Sequence, residues 1–341
     1  MTTFKELRGT AIQAVSSDPS NPEIGQIWYN SSSGTLKGYV YATVNAWSAG
    51  GSLPTATKVG GSAGSGTQNA SLFFGGDNGT AYLSTSQTYN GTSWTAQPTM
   101  TYAKGLQGSA GTQTAALGFA GYSNSPGPSG PFGSWVTTES WNGSTWSTGG
   151  NINNNRYFGV GIGLQTATLY AAGFLSGQPA ANGTRTNVES YNGTSWTNVS
   201  ALSQRRYGPG GSGTQTAALV FAGWISPNNV TAVSESYNGS AWTSGTSMNT
   251  ARYSLGSCGT QTAALGFGGS PYPPYTGATE SWNGSAWTTL NPLATVRQGL
   301  SGSGSNSSAL GIGGDISPST IYSSTEEWNT QLLSTKTITV S

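Results

Sequence analysis

The chain contains no histidine, a single cysteine, and unusually little charge: 7% of its 341 residues are Asp, Glu, Lys or Arg. Without histidine, the commonest general base and the commonest metal ligand are both missing. One cysteine, Cys258, permits no internal disulfide, so a disulfide framework is excluded while the compartment stays open. It falls where other repeat copies carry Gly or Ser, and reads as a small buried residue. The formal net charge of +1 gives no bulk attraction to nucleic acid or to a membrane surface. No stretch approaches the ~18 apolar residues that a membrane helix needs. The opening MTTFKELRGTAIQAV has neither the apolar core nor the cleavage pattern of a signal peptide. P-loop, HExxH and CxxC patterns are all absent. The expectation is a chain with no cofactor and no metal, and not an enzyme.

What is present is glycine (52 residues), abundant Ser, Thr and Asn, and 11% aromatics. Disordered chains lack such aromatics, whereas many short strands with tight turns use this mixture. The stretch ESWNGSAW at 280–287 has near copies at 87–94, 139–146, 189–196 and 235–242, and a degraded one, EEWNTQLL, at 326–333. Each reads as two short strands joined by an Asn-Gly turn, whose tolerance of positive φ suits a type I′ hairpin. The Asn-X-Ser/Thr sequons at Asn90, Asn142 and Asn192 coincide with these turns and read as turn chemistry.

One Trp marks each unit: Trp47, Trp94, Trp146, Trp196, Trp242 and Trp287, at intervals of 47, 52, 50, 46 and 45 residues. A GTQ-like marker runs alongside, with GLQ at 163 and GSN at 304 as variants. The unit at 252–287 divides into four strands: A from the Arg to GTQ, B as TAALGFGG, C as TESW, and D as SAWT. Four strands per period of about 50 residues is propeller-blade spacing. The expected fold is all-β: a six-bladed propeller of four-stranded antiparallel blades over 45–329, a small N-terminal β-hairpin module over 1–44, and a C-terminal strand or tail over 330–341. The sixth copy lacks its Trp. Either 45–48 supplies its fourth strand, joining the chain's two ends, or the tail QLLSTKTITVS does.

The unit resembles the kelch repeat of galactose-oxidase-like propellers. The resemblance lies in a basic residue opening strand A, a Gly pair ending B (Gly75-Gly76, Gly268-Gly269, Gly313-Gly314), Tyr or Trp in C, and Trp in D. Ala-Gly replaces the pair in the copies ending at Gly121, Gly173 and Gly223. Galactose oxidase chemistry needs histidine ligands and a Cys-Tyr pair, which this chain cannot supply. The arginines that sialidase chemistry would need are spread evenly by the repeat. Asp77 and Asp315 follow strand B in the first and sixth copies; a turn role competes with Ca²⁺ binding or hydrolysis there.

In such blades the A–B and C–D turns share one face, and the B–C and D–A connections the other. The B–C loops vary and carry aromatics: Tyr122, Phe132, Trp135, Trp224, Tyr272 and Tyr275. Variable loops on a rigid scaffold suit recognition, here of a glycan or a protein, although loops that vary for want of constraint read the same way. Lys58, Lys104, Arg156, Arg206, Arg252 and Arg297 open the six A strands. They form either a basic ring around the axis, fit for an anion, or structural partners of Glu139, Glu189, Glu235, Glu280 and Glu326, holding blade to blade. The repeated Trp and Tyr read as inter-blade core.

The N-terminal segment DPSNPEIGQIWYNSSSGTLKGY resembles a short segment near the start of tail-fibre-like and other virion structural proteins of marine bacteriophages, cyanophages especially. That resemblance implies a virion protein, present in multiple copies or as an oligomer. Residues 1–44, with Ile27, Trp28, Tyr29, Leu36 and Tyr39, would attach it to other virion proteins. The propeller would be displayed for a host-surface glycan or protein, or would decorate or join virion parts without a host ligand. A secreted lectin and a glycan-processing enzyme are the remaining alternatives. No nucleic-acid partner and no membrane insertion are expected.

Overall fold

The computed structural model describes residues 12–63, 65, 67–124, 133–226, 229–271, 274–317 and 319–338. The chain forms two compact units, one from 1–45 with 329–341 and the other from Ala46–Trp328. Two long strands, Thr35–Ala49 and Thr325–Thr337, supply residues to both.

In the first unit Gln13–Val15 runs parallel to Ile27–Asn30, which pairs antiparallel with the start of Thr35–Ala49. Ile338 N donates to Leu36 O at 2.8 Å, so residue 338 lies against this same strand. Asp18 ties the sheet together. Its carboxylate accepts from Trp28 Nε1 at 3.0 Å, Asn30 Nδ2 at 2.7 Å and Lys37 Nζ at 2.8 Å. Those hydrogen bonds, from Lys37 first, hold its carboxyl down to about 2.

The second unit repeats one four-stranded sheet. Its first two copies are Gly61–Ser62, Ser71–Phe74, Ser86–Tyr89, Trp94–Gln97 and Gly108–Thr112, Ala115–Phe119, Thr138–Trp141, Trp146–Gly149. The third to fifth have strands A at Val160–Leu164, Gly210–Gly213 and Gly256–Gly259 and strands D at Trp196–Val199, Trp242–Gly245 and Trp287–Leu290. Each is paired antiparallel in the order A-B-C-D. The sixth takes Ser301–Gly304, Ser308–Ile312 and the start of Thr325–Thr337, and its fourth strand comes from the end of Thr35–Ala49. Gly50 N donates to Thr325 O at 2.9 Å there. The tail therefore does not supply that strand.

The six A strands touch one another in sequence around a closed ring. Glycine recurs in them because the ring is narrow: a Cβ on Gly302 would meet Ser257 O at 2.3 Å, and one on Gly161 would meet Ser109 O at 2.2 Å. At one end of the ring, six residues with left-handed φ (Val59, Leu106, Phe158, Gly208, Ser254 and Gly299) form a cycle of backbone hydrogen bonds. Each N–H donates to the carbonyl of its counterpart in the preceding blade, at 2.6–2.8 Å, and Val59 N closes the cycle on Gly299 O.

Between blades the core is aromatic. Trp196 lies 4.7 Å from Phe119 of the preceding blade, and Trp287 lies 4.8 Å from Phe221. Their indole N–H groups donate to Thr138 Oγ1 and Ser234 Oγ, each the first residue of the preceding strand C. Trp47, in the closing blade, does the same to Thr279 of the fifth. Cys258 is buried, with burial pushing its thiol well up.

The C–D turns correct one expectation. The register pairs Tyr89 with Trp94, leaving a four-residue loop, and only its glycine has a positive φ, 95° at Gly91. The turn is not type I′. Asn90 Oδ1 instead accepts from the N–H groups of Thr92 and Ser93, and Asn142, Asn192, Asn238 and Asn283 repeat this.

Candidate functional site

Four of the six basic residues that open the A strands are arginines held in buried ion pairs. Arg156 reaches Glu189 at 2.5 Å, Arg206 reaches Glu235 at 2.6 Å, Arg252 reaches Glu280 at 2.6 Å and Arg297 reaches Glu326 at 3.0 Å. Each pair lies within one blade, between the approach to strand A and the start of strand C, rather than between blades. It grips the neighbour indirectly: Glu235 also accepts from Ser203 N at 2.7 Å, on the crossover that leaves the preceding blade. Burial pulls the Arg206, Arg252 and Arg297 guanidiniums down, against the pull of their carboxylates. Burial alone would raise Glu189; the Arg156 charge and the hydrogen bonds of Arg156, Asn153 and Asn154 outweigh it and hold it below the usual range.

The second blade uses Lys104, fully buried 3.6 Å from Glu139, with Thr137 O and Oγ1 at 3.5 and 3.3 Å. Burial lowers its ammonium to about 8, with Glu139 opposing. In the first blade the register corrects the sequence. Gly76 N donates to Lys104 O, Gly269 N to Arg297 O, and Gly314 N to Thr57 O. Thr57, not Lys58, therefore matches the other five. Among the described residues the basic side chains form no ring around the axis.

Lys58 instead belongs with Gly105, Tyr157, Tyr207, Tyr253 and Gln298, the residues that precede the left-handed cycle. Each of these six forms an isolated bridge to the residue just after strand B: Asp77, Tyr122, Phe174, Trp224, Ser270 and Asp315. Together they make a rim around the axis on the face of the variable loops. Much of it is aromatic. Ring centroids follow one another at 5.8 Å (Tyr82–Tyr122), 5.1 Å (Tyr122–Tyr157), 5.7 Å (Tyr157–Phe174), 5.3 Å (Phe174–Tyr207), 5.6 Å (Tyr207–Trp224) and 4.8 Å (Trp224–Tyr253). All seven rings are half-buried. Tyr207 and Trp224 lie within 18° of parallel.

The remaining arc, in the sixth and first blades, is polar. Lys58 Nζ stands 3.4 Å from Asp315 Oδ2. Gln298 also hydrogen-bonds Asp315, while its own Oε1 is buried without a partner. Burial raises the Asp315 carboxyl, with Lys58 opposing and Asp77 adding to the rise. Burial also raises the Tyr82 phenol, with Asp77 and Tyr122 adding to it. Below the rim, a cavity of about 130 Å³ follows the axis between the A strands, lined by Gly and Ser with Leu106, Phe158 and Ile162. Among the described residues no group of three or more His, Cys, Asp or Glu could hold a metal ion.

Other residues singled out in the sequence fall as follows. Tyr122 and Trp224 are in the aromatic arc. Trp135 is not exposed: it is 3% accessible, edge-on to Tyr102 at 5.4 Å. Tyr275 is half-buried in its loop. Phe132 and Tyr272 lie outside the described residues. In the first unit Trp28 is buried against Asp18 and offers no surface to a partner. Tyr29 is 41% exposed, while Ile27, Leu36 and Tyr39 are half-buried. Sequence reading missed Tyr82, Tyr157, Phe174, Tyr207 and Tyr253. The Arg-Tyr dipeptides at 156–157, 206–207 and 252–253 were the available signal.

No protein-family model matches the chain, and no curated protein matches it. Solved structures do. One described as "Structure of YjhT" superposes with a TM-score of 0.66 over 80% of this chain and 95% of its own, at 12% identity. The chain is a β-propeller. At that identity the likeness concerns the fold alone, and the propeller's rim has to be read on its own residues.

Proposed function

We propose that the chain is a non-enzymatic structural protein of a bacteriophage virion, of fibre or adhesin type. Its kelch-like propeller displays the rim and variable loops to the host surface, and its N-terminal unit attaches it to other virion proteins. One observation carries the attachment half of this reading. Of the six large apolar residues that stand exposed among the described residues, four (Ile12, Ile24, Tyr29 and Tyr41) belong to the small N-terminal unit. Exposed apolar side chains concentrated in one small module suit a unit that another protein covers. The propeller half is supported by the rim, whose residues differ from blade to blade while the core repeats. The two carboxylates of the rim are engaged, Asp315 with Lys58 and Asp77 with Gly79 N at 2.7 Å, which suits binding better than hydrolysis.

Gold-labelled antibody against residues 49–329, applied to particles of the phage that encodes the chain, tests this. Label on fibres or the tail tip is the expected result. Label spread over the capsid would reassign the chain to decoration, and particles without label, intact or opened, would overturn the virion reading.

A further inference from the structure

The rim breaks the symmetry that the rest of the propeller keeps. Trp in strand D and the glycines of strand A recur because the fold needs them in every blade. At the rim one register holds Lys, Gly, Tyr, Tyr, Tyr and Gln, and the register beside it holds Asp, Tyr, Phe, Trp, Ser and Asp. The backbone is the same in all six places, so the fold does not dictate these choices. The outcome is two arcs of unlike chemistry: contiguous half-exposed rings from the first to the fifth blade, and a Gln298–Asp315–Lys58–Asp77 group from the sixth to the first.

We infer that this rim is a subsite for a neutral glycan. A pyranose has one face of polarised C–H groups and an equator of hydroxyls. The C–H face suits the electron-rich faces of Tyr and Trp rings, and the hydroxyls suit convergent polar side chains at the edge. Here Trp224 stacks on Tyr207 within the run of half-exposed rings, half-exposed Lys58 and Asp77 stand at the polar edge, and behind them lie Asp315 and the unpartnered Gln298 Oε1. Two carboxylates face one ammonium across the polar arc, so its balance is negative and disfavours acidic sugars. The rings lean on one another, stacked, tilted or edge to face, instead of enclosing a space. That makes a surface for an extended saccharide rather than a cage for a quaternary ammonium ion.

The inference rests on the recognition half of the proposed function, and the test separates the two. The whole chain is titrated calorimetrically with neutral hexasaccharides (cello-, malto-, manno- and galacto-oligosaccharides), with oligogalacturonate, with sialyllactose and with choline. Adhesion to host cells is measured in parallel. The variants Tyr207→Gln, Tyr253→Gln and Asp315→Ser each import a residue that another blade already carries at that register, so the fold tolerates them. Saturable binding of a neutral saccharide is expected, weakened about tenfold by each Tyr variant. It is also expected to be weakened by Asp315→Ser, with acidic sugars and choline bound more weakly. Binding of no neutral saccharide, binding led by choline or an acidic sugar, or neutral binding that none of the variants weakens would overturn the inference. Adhesion without saccharide binding sinks the inference and spares the adhesin reading; saccharide binding without adhesion does the reverse.

Discussion

Lys104 occupies a position that four other blades fill with arginine, and replacing it tests the account of the buried pairs. Arg206 donates to Ala222 O at 2.9 Å and Val233 O at 2.8 Å besides its carboxylate at 2.6 Å. Lys104 has Thr137 O and Oγ1 at 3.5 and 3.3 Å and a carboxylate at 3.6 Å. Lys104→Arg adds two short charge-assisted hydrogen bonds. Less the cost of ordering a longer side chain, it should stabilise the fold by about 2 kcal/mol at pH 7. The gain should also depend on pH. The folded ammonium titrates near 8 and the unfolded one near 10.5. Between those values the unfolded chain binds more protons, so wild-type stability rises with pH, by about 2 kcal/mol from pH 7 to 9.5. An arginine does not titrate there. Urea unfolding followed by tryptophan fluorescence should put the variant's midpoint roughly 0.5–1 M above wild type at pH 7. The difference should nearly vanish at pH 9.5. An offset that does not change with pH, or a variant less stable at pH 7, would refute the reasoning.

Three further outcomes are expected. Glu235→Ala leaves the Arg206 guanidinium buried without its carboxylate and strips Ser203 N of its acceptor, so chemical denaturation should show a loss of about 3–5 kcal/mol. Gln215→Ala removes donors to Thr168 O and Tyr191 O in the preceding blade, a loss of about 1–2 kcal/mol on the same scale, while Asn306→Gln should gain part of that between the fifth and sixth blades. The lowered Asp18 carboxyl stabilises the N-terminal unit above its ordinary titration near 3.8, and that contribution fades as pH falls towards 2; Asp18→Asn should abolish the acid transition in the Trp28 indole N–H resonance.

The repeat made most of the fold legible, because the period, the Asn-Gly turns and the D-strand Trp each reflect a local requirement that every blade must meet. What stayed hidden depends on partners distant in sequence. The Gln of the GTQ marker is visible as a marker, but its role is not. Gln68, Gln113, Gln165, Gln215 and Gln261 each donate to two carbonyls of the preceding blade, a contact that exists only once the blades stand side by side. Lys58 was misplaced by one residue because its register is set by Val59, a β-branched residue at φ 50° that no propensity would put there. Trp135 looks exposed in a polar, proline-rich loop, yet its N–H donates to Gly121 O and its ring is covered. Burial within a loop follows no periodicity that a sequence displays.

The sixth blade closes with a strand drawn from the other end of the chain, and this shapes how the molecule is made. Residues 46–49 leave the ribosome early and must wait for Thr325–Trp328, almost the whole propeller later, before they have a partner. Five blades can form in order of synthesis, but the ring cannot shut until the last is complete, so its slow step is a contact of very high sequence separation. During that interval the waiting segment has an unpaired edge that fits the sixth blade of any copy. Where many chains are assembled side by side, exchange of this strand between neighbours is the natural failure and an equally natural means of linkage.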